Sequence, residues 1–168
     1  VAPAPTIAAV RGQCLGGGRD IILMGNFIFA DKTARFGQPE IVLGVFPPPA
    51  SVLRPEKIGL AKAEEWLITG KIITADEANS AGLLNDVYED KAAMNAGVNT
   101  WIENNILPKS ASSLRYAVKA VRAKLNHLLS NFLPQLETMY LSQLMQTEDA
   151  NEGITSFLEK RKPTWKNS

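Results

Sequence analysis

Three consecutive glycines, Gly16-Gly17-Gly18, constrain the fold more than any other feature of the chain. They follow an apolar run at residues 6–10, which is typical of a buried strand, and they precede residues 20–24, which are typical of a helix start. Glycines at such a junction allow close packing of the strand against the helix, or close approach of a bound group. The bound group can be a phosphate or a developing oxyanion, because a helix N-terminus presents unpaired N–H groups.

A phosphate is the weaker of these interpretations. The glycines are not followed by Lys-Ser or Lys-Thr, as in a P-loop, and they lack GxGxxG spacing. From the spacing alone, the glycines are as readily explained by a tight strand–helix junction that needs only small residues as by an oxyanion site.

The segment after the glycines continues an α/β pattern. Residues 27–30 and 34–37 are predicted to be strands joined by a turn at residues 31–33. The prolines 47–49 are predicted to break any element and to force an extended path. Residues 58, 61, 65 and 68 recur at helical spacing, and Gly70 is a predicted helix stop.

The second half of the chain is predicted to be helical. Thr74 and Glu77 form a capping-box pattern for a helix ending near Gly82, before a short strand at 87–88. Helical patterns follow at residues 92–104, 114–129, 133–145 and 151–161, the last of them after a cap at 147–149. We therefore divide the chain into an α/β part, 1–90, and a helical part, 91–168, whose amphipathic helices would need a partner subunit to cover them.

Composition excludes several classes of protein. Eighteen Lys and Arg against 17 Asp and Glu give no basic excess for nucleic acid or for a membrane surface. Single residues of Cys and His, Cys14 and His127, exclude an internal disulfide and a metal site built on these types. No apolar run is long enough for a bilayer, and no signal peptide is visible. We expect a cytoplasmic protein without nucleic-acid or membrane partners.

Two carboxylates are candidates for proton chemistry. Asp20 lies in the first turn of the predicted helix, and Glu40 follows Gly37-Gln38-Pro39. Carboxylates in apolar surroundings can differ in proton affinity, so that one acts as acid and the other as base. A capping aspartate and a surface glutamate explain the same residues, and the sequence does not show that the two are close in space.

Four blocks of the chain resemble the enoyl-CoA hydratase/isomerase (crotonase) superfamily. They are PTIAAVRG with LGGGRD at residues 5–20, FGQPEIVLG at 36–44, LITG with ADEA and AGL at 67–83, and FLEKRKP at 157–163. They occur in the family's order and spacing along almost the whole chain. The chain is therefore identified as a crotonase-type protein.

This resemblance implies an α/β spiral of β-β-α turns, then a helical region for a homo-oligomer, a trimer or a dimer of trimers. It implies a coenzyme A thioester as substrate and neither metal nor cofactor. Gly17 matches the position whose N–H binds the thioester oxygen, and Gly16 and Gly18 beside it are expected to bind substrate. Asp20 and Glu40 match the two acids that act on water. The cations Lys160, Lys162 and Lys166 are expected near CoA phosphates.

The chain departs from the family pattern in three places. Family members have a longer N-terminal part, which supplies the second oxyanion donor and most CoA contacts, so we expect half of the site to be missing here. Asp20 stands where the family usually has Glu. Phe46, Pro47 and Pro48 stand in a segment that is glycine-rich in simple hydratases, so they are expected to reshape the acyl pocket.

The segment 45–59 looks most like that of the cyclohexa-1,5-diene-1-carbonyl-CoA hydratases of anaerobic aromatic degradation. Hydration of a cyclic dienoyl-CoA is therefore the expected activity. A general enoyl-CoA hydratase or isomerase, a ring-opening hydrolase, and a non-catalytic CoA-binding or assembly module are the alternatives. The presence of both acids at the family's spacing from the glycines argues against a non-catalytic module, because binding of CoA alone requires neither acid.

Overall fold

The computed structural model describes residues 4–168, without the side chain of Arg19. Residues 1–3 of the predicted α/β part lie outside the described residues. Strands occur at Ile7–Val10 (β1), Gln13–Leu15 (β2), Phe27–Asp31 (β3), Arg35–Gly37 (β4), Ile73–Thr74 (β5) and Asp86–Tyr88 (β6). Helices occur at Gly17–Leu23 (α1), Pro48–Ile58 (α2), Leu60–Thr69 (α3), Ala75–Ser80 (α4), Lys91–Asn105 (α5), Ala111–Val121 (α6), Ala123–Asn131 (α7), Leu133–Ser142 (α8) and Glu148–Leu158 (α9), with a 3-10 helix at Pro39–Leu43.

Within residues 4–168, the strands form two three-stranded sheets, and strands β1 to β4 belong to the two sheets alternately. In the first sheet, β1, β3 and β6 are parallel, with β3 in the middle. In the second sheet, β4 lies in the middle and pairs with β2 in parallel and with β5 in antiparallel orientation. Ile7 pairs with Phe27 and Cys14 with Phe36, so each β-β-α turn stacks on the next in a spiral. This mixed α/β architecture, followed by helices, confirms the predicted fold class.

The core lies between these sheets and the helices that follow them. Its largest apolar side chains include Leu23, Phe36, Leu53 and Trp66, each at most 3% exposed. Burial of one such side chain stabilises the fold by roughly 1.5–3 kcal/mol, which makes this cluster the main support of the region around the glycines.

Several sequence predictions were wrong in detail. The prolines do not force an extended path: Pro47 is extended, but Pro48 begins α2, where the missing N–H and fixed φ of proline are tolerated. Strand β2 was not predicted, and α1 begins at Gly17 rather than at residue 20.

The predicted helical stretches also divide differently. Gly59 separates α2 from α3, and Arg122 separates α6 from α7. Residues at the predicted spacing in α3 do not face the core, since Ile68 is 69% exposed while Ala63 and Trp66 are buried. The core side of α3 was misassigned because the apolar residues of a short helix can occupy more than one face.

The C-terminal helix begins earlier than predicted and is followed by a folded tail. Thr147 caps α9 at Glu148, three residues before the predicted start at 151. Residues 164–168 return along α9, where Asp149 accepts hydrogen bonds from the backbone N–H groups of Lys166 (2.7 Å) and Asn167 (2.8 Å). Trp165 lies against Gly44 and Gly153, which joins this tail to the end of the 3-10 helix.

None of the helices in the described part is both long and apolar enough to cross a bilayer. Across residues 4–168, no group of three or more His, Cys, Asp and Glu side chains is arranged to hold a metal ion.

Candidate active site

The glycine loop joins β2 to α1 and lies beside the end of β4, the strand that pairs with β2. Gly16 has φ 56° and ψ −138°, a backbone conformation that favours glycine, and its N–H donates to the carbonyl of Gly37 (3.2 Å). Gly17 is the first residue of α1, so its N–H has no acceptor within the helix. A side chain placed on Gly17 or Gly18 would meet no atom within 4 Å among the described residues. The loop therefore presents backbone, rather than side chains, on this face.

Asp20 is held by a buried glutamine. It lies in the first turn of α1, where a carboxylate interacts favourably with the helix dipole. The Nε2 of Gln38 donates a hydrogen bond to its Oδ1 at 2.7 Å, and Gln38 is only 1% exposed. A donor fixed by burial restricts where the carboxylate of Asp20 can move and favours its ionised form.

Glu40 is brought to the glycine loop by the 3-10 helix. Its Oε1 lies 3.4 Å from the position that a Cβ on Gly16 would occupy. Pro39 begins this helix, and Gly44 ends it in the left-handed conformation, with its N–H donating to Ile41 O (3.1 Å). Any side chain at position 16 would therefore crowd the Glu40 carboxylate as well as strain the backbone.

Arg54 lies in α2 and is fully buried, with 0% exposure. Burial lowers its pKa to about 10, while the negative charges of Asp20 and Glu40 act in the opposite direction. Because both carboxylates act on one guanidinium, the structure brings the two sequence-predicted acids to the same part of the molecule. None of the three guanidinium nitrogens has a hydrogen-bond partner in the described part of the chain.

Sequence reasoning missed Gln38 and Arg54. The signal for Arg54 was present, because Ala50, Leu53 and Arg54 follow one another at i, i+3 and i+4, which places the arginine on the apolar face of its helix. Gln38 gave no comparable signal, since its burial depends on packing between distant segments.

The other predicted site residues lie around α2 and after α9. Phe46 packs edge-to-face on Tyr140 of α8, with ring centroids 5.6 Å apart. Pro47 is buried, and its carbonyl accepts the hydroxyl of Ser51 at 2.9 Å. Pro48 is the first residue of α2. These contacts turn the proline segment towards the helical part of the chain.

Lys160 is exposed and has φ 54°, and within residues 4–168 its side chain makes no ion pair. Lys166, in contrast, pairs with Glu148 (2.5 Å). The cations of the tail therefore differ in how available they are to an anionic ligand.

Together these groups suit proton transfer next to a polarised carbonyl. A backbone N–H at the start of α1 can bind a developing oxyanion, and two carboxylates beside it can take up and release protons. Arg54 adds a buried positive charge to the pair. The combination requires no redox-active side chain.

Comparison with known proteins places this arrangement in a family. The enoyl-CoA hydratase/isomerase family model matches residues 1–168. A cyclohexa-1,5-dienecarbonyl-CoA hydratase of Thauera aromatica is 44% identical over 98% of this chain, and a 2,3-dehydroadipyl-CoA hydratase of Escherichia coli is 34% identical over 96%. The crystal structure of a carnitinyl-CoA hydratase from Mycobacterium avium superposes with a TM-score of 0.88 at 29% identity, covering 100% of this chain and 65% of that one.

The chain spans 63% of the length of each of these two curated relatives. The match nevertheless includes the glycine loop, both carboxylates and the C-terminal helices, because it covers nearly the whole chain. The chain belongs to the enoyl-CoA hydratase/isomerase family.

Proposed function

We propose that the protein adds water to a conjugated acyl-CoA thioester, with a cyclic dienoyl-CoA as the preferred substrate. The observation that supports this most is the pair Asp20 and Glu40, positioned from two different elements beside the glycine loop. The cyclic substrate is suggested by the relative from Thauera aromatica, which is named as a cyclohexa-1,5-dienecarbonyl-CoA hydratase.

In the proposed reaction, the N–H of Gly17 binds the thioester oxygen and stabilises its negative charge as the enolate forms. Glu40 takes a proton from water while the water oxygen bonds to the conjugated carbon. Asp20 gives a proton to the carbon of the resulting dienolate. The two carboxylates thus hold one proton between them before and after addition, and transfer from Glu40 back to Asp20 restores the starting state.

The acyl pocket is proposed to be shaped by Phe46, Pro47 and Pro48. Pro48 and Pro49 begin α2, so the segment is stiffer than a glycine-rich one and its backbone cannot adapt freely to different acyl groups. Phe46 contributes an aromatic face, which its contact with Tyr140 orients. A planar six-membered ring suits such a rigid pocket better than a flexible chain does.

We further propose that the protein is a homo-oligomer, a trimer or a dimer of trimers, in which Lys160 contributes to CoA binding. Large apolar side chains of the C-terminal helices are exposed in the single chain, including Tyr116 (72%), Val121 (78%), Leu141 (64%) and Leu158 (74%). A surface of this kind is usually covered by a partner. Sedimentation equilibrium of the full-length protein tests the assembly, and a monomer at micromolar concentration would contradict it.

The activity is tested by incubating the full-length protein with crotonyl-CoA and with cyclohexa-1,5-diene-1-carbonyl-CoA and measuring thioester masses. A water adduct on the cyclic diene but not on crotonyl-CoA is the expected result. An adduct on crotonyl-CoA alone would show a general hydratase and contradict the substrate proposal. No adduct on either thioester would contradict hydration itself.

A further inference from the structure

We propose that Arg54 is a positioning residue whose buried positive charge keeps one member of the Asp20–Glu40 pair ionised. This inference rests on the proposed function, because it assigns the pair a shared proton. It concerns a residue outside the glycine loop and the two acids, in α2, which packs against α1.

The environment of Arg54 is unusual for an arginine. The side chain has 0% exposure, and its Nε, Nη1 and Nη2 atoms have no hydrogen-bond partner in the part of the chain that the structure describes. A guanidinium has five donors, and burial without hydrogen bonds is costly for any charged group. An apolar residue of similar volume would fill the same space without this cost. The charge itself is therefore the property that distinguishes arginine at this position.

The groups on which this charge acts are Asp20 and Glu40. They are the carboxylates that raise the pKa of Arg54 against the effect of burial, and the group stays protonated near neutral pH. Two carboxylates near one another disfavour the simultaneous ionisation of both. A cation in the same low-dielectric region opposes this effect and lowers the pH at which the pair takes up its second proton.

Several other charged groups on and near α2 have partners of their own. On α2 itself, Glu56 pairs with Lys124 of α7 at 3.0 Å, and Lys57 donates to the carbonyl of Gly25 at 2.8 Å. Lys62 and Glu65 of α3 pair with each other. The remaining titratable groups on helices packed against α2 or at their ends, within the described residues, are Glu64 on α3, the buried Arg122 before α7, His127 on α7, and Glu137 and Tyr140 on α8.

The charge balance explains why one cation suffices. With one shared proton, Asp20 and Glu40 carry a single negative charge, and Arg54 neutralises it. Without Arg54, the pair would bind a second proton at higher pH and Glu40 could no longer accept a proton from water. Arg54 thus acts through the carboxylates and needs no contact with substrate.

The test compares R54M and R54K in the full-length protein through the pH dependence of kcat/KM. In R54M, the acidic limb is expected to move to higher pH by about one to two units, since a unit charge has been removed. R54K keeps the charge and is expected to retain the acidic limb of the wild type. An R54M limb that stays at the wild-type pH would overturn the inference, as would an R54K limb displaced as far as that of R54M.

Lys57 provides a matched control on the same helix. It is a partly buried cation whose pKa is lowered by burial and by the positive charge of Arg122, and no carboxylate is among the causes. K57M is therefore expected to leave the acidic limb in place. A purely structural contribution of Arg54 would lower activity equally at all pH values or reduce Tm, without moving the limb.

A second measurement separates this inference from the proposed function. Infrared titration of the carboxylates, in wild type, R54M and the D20N and E40Q variants, reports ionisation without turnover. If no thioester is hydrated but R54M still raises the pKa of the pair, the function fails and the role of Arg54 stands. An unchanged titration overturns the role of Arg54 whether or not the protein is active.

If R54M does not fold, R54Q replaces it, because glutamine keeps an amide donor but loses the charge. The acidic limb and the infrared titration of R54Q are then interpreted in the same way as those of R54M. If neither neutral variant folds, the infrared titration of the wild-type carboxylates tests the inference. We then expect at least one of the two carboxyl groups to have a pKa below that of an ordinary carboxyl group. The inference would be overturned if the pKa values of both were ordinary or higher.

Discussion

The glycine-loop region and the C-terminal helix with its tail treat charged groups in opposite ways. Around the glycine loop, Arg54 is fully buried and has no hydrogen-bond partner among the described residues, while Asp20 accepts a hydrogen bond from the buried amide of Gln38. Along α9 and the tail, charges lie at the surface, and several of them form ion pairs, although Lys160 forms none within residues 4–168. There Arg161 donates to Glu152 (Nη2 to Oε2, 2.8 Å), which also accepts the backbone N–H of Thr164 (2.8 Å).

This difference agrees with the proposed reactive role of the glycine-loop region and with a structural role for the tail. Surface ion pairs cost little to form and add little to stability, because water competes for both partners. A buried and poorly paired charge costs stability, and such groups concentrate at functional sites, where a perturbed proton affinity is useful. The buried charge of Arg54 therefore supports the proposed location of the active site in the first region.

The largest expected effect comes from removing either carboxylate of the glycine-loop region. D20N and E40Q in the full-length protein are each expected to lower kcat for hydration by about 10²–10⁴-fold, the usual contribution of a general acid or base. Circular dichroism should show an unchanged fold. Turnover near the wild-type value in either variant would remove that residue from the proposed mechanism.

Loss of the Gln38 hydrogen bond should have a smaller effect in the same region. Q38L removes the 2.7 Å bond to Asp20, and a hydrogen bond to a charged group contributes about 1.5–3 kcal/mol. We expect kcat to fall by about 10- to 100-fold with little change in KM, because Asp20 loses its orientation. Q135L, on the exposed face of α8, is the control and should be nearly neutral. Equal loss in both variants would contradict the role of Gln38.

The two regions meet where α9 packs on the 3-10 helix, and G153A should disturb that contact. A Cβ at position 153 would collide with the carbonyl of Leu43, which belongs to the helix that positions Glu40. We expect destabilisation by about 1–3 kcal/mol together with reduced kcat. The measurement is urea denaturation combined with the hydration assay.

T155A, at an exposed position of the same helix, is the matched control for G153A. It is expected to change neither the free energy of unfolding nor kcat appreciably. Destabilisation of G153A without any loss of kcat would show that α9 supports the fold but does not position Glu40.

The smallest effect is expected at the surface pair of the tail. Hydrogen bonds from Arg161 and then from the N–H of Thr164 lower the pKa of Glu152 from 4.5 to about 2. The folded-state pKa is depressed, so the resulting stability is present above the ordinary pKa and is lost as pH falls from 4.5 towards 2. R161Q should flatten this acid dependence of Tm and change Tm only slightly at neutral pH.

R115Q removes an exposed cation from α6 and serves as the control for R161Q. Its Tm should follow the wild-type pH dependence. A large loss of Tm at neutral pH in R161Q would show that the tail stabilises the fold more than a surface pair can, and would weaken the distinction between the two regions.

Local features of the fold were predictable from the sequence. The capping box was confirmed, since Thr74 Oγ1 accepts from Glu77 N–H (3.2 Å) and Glu77 Oε2 accepts from Thr74 N–H (2.9 Å). Gly70 ends α3 in the left-handed conformation, as predicted. These features depend on groups within a few residues of one another, so local chemistry determines them.

Placement of the strands was less predictable. β3 and β4 were expected as two strands joined by a turn, and both exist, but they belong to different sheets. The partner of each strand lies one β-β-α turn away along the spiral, and the residues of the connecting turn do not encode that choice.

The sequence by itself determined the family, the glycine loop and the identity of the two acids, because these follow from residue types at fixed spacing. Only the tertiary structure decided which groups surround the acids. Gln38 and Arg54 become buried beside Asp20 and Glu40 through the packing of the 3-10 helix and α2 on the glycine loop. Burial and charge proximity are properties of the whole fold, so no local pattern of residues contains them.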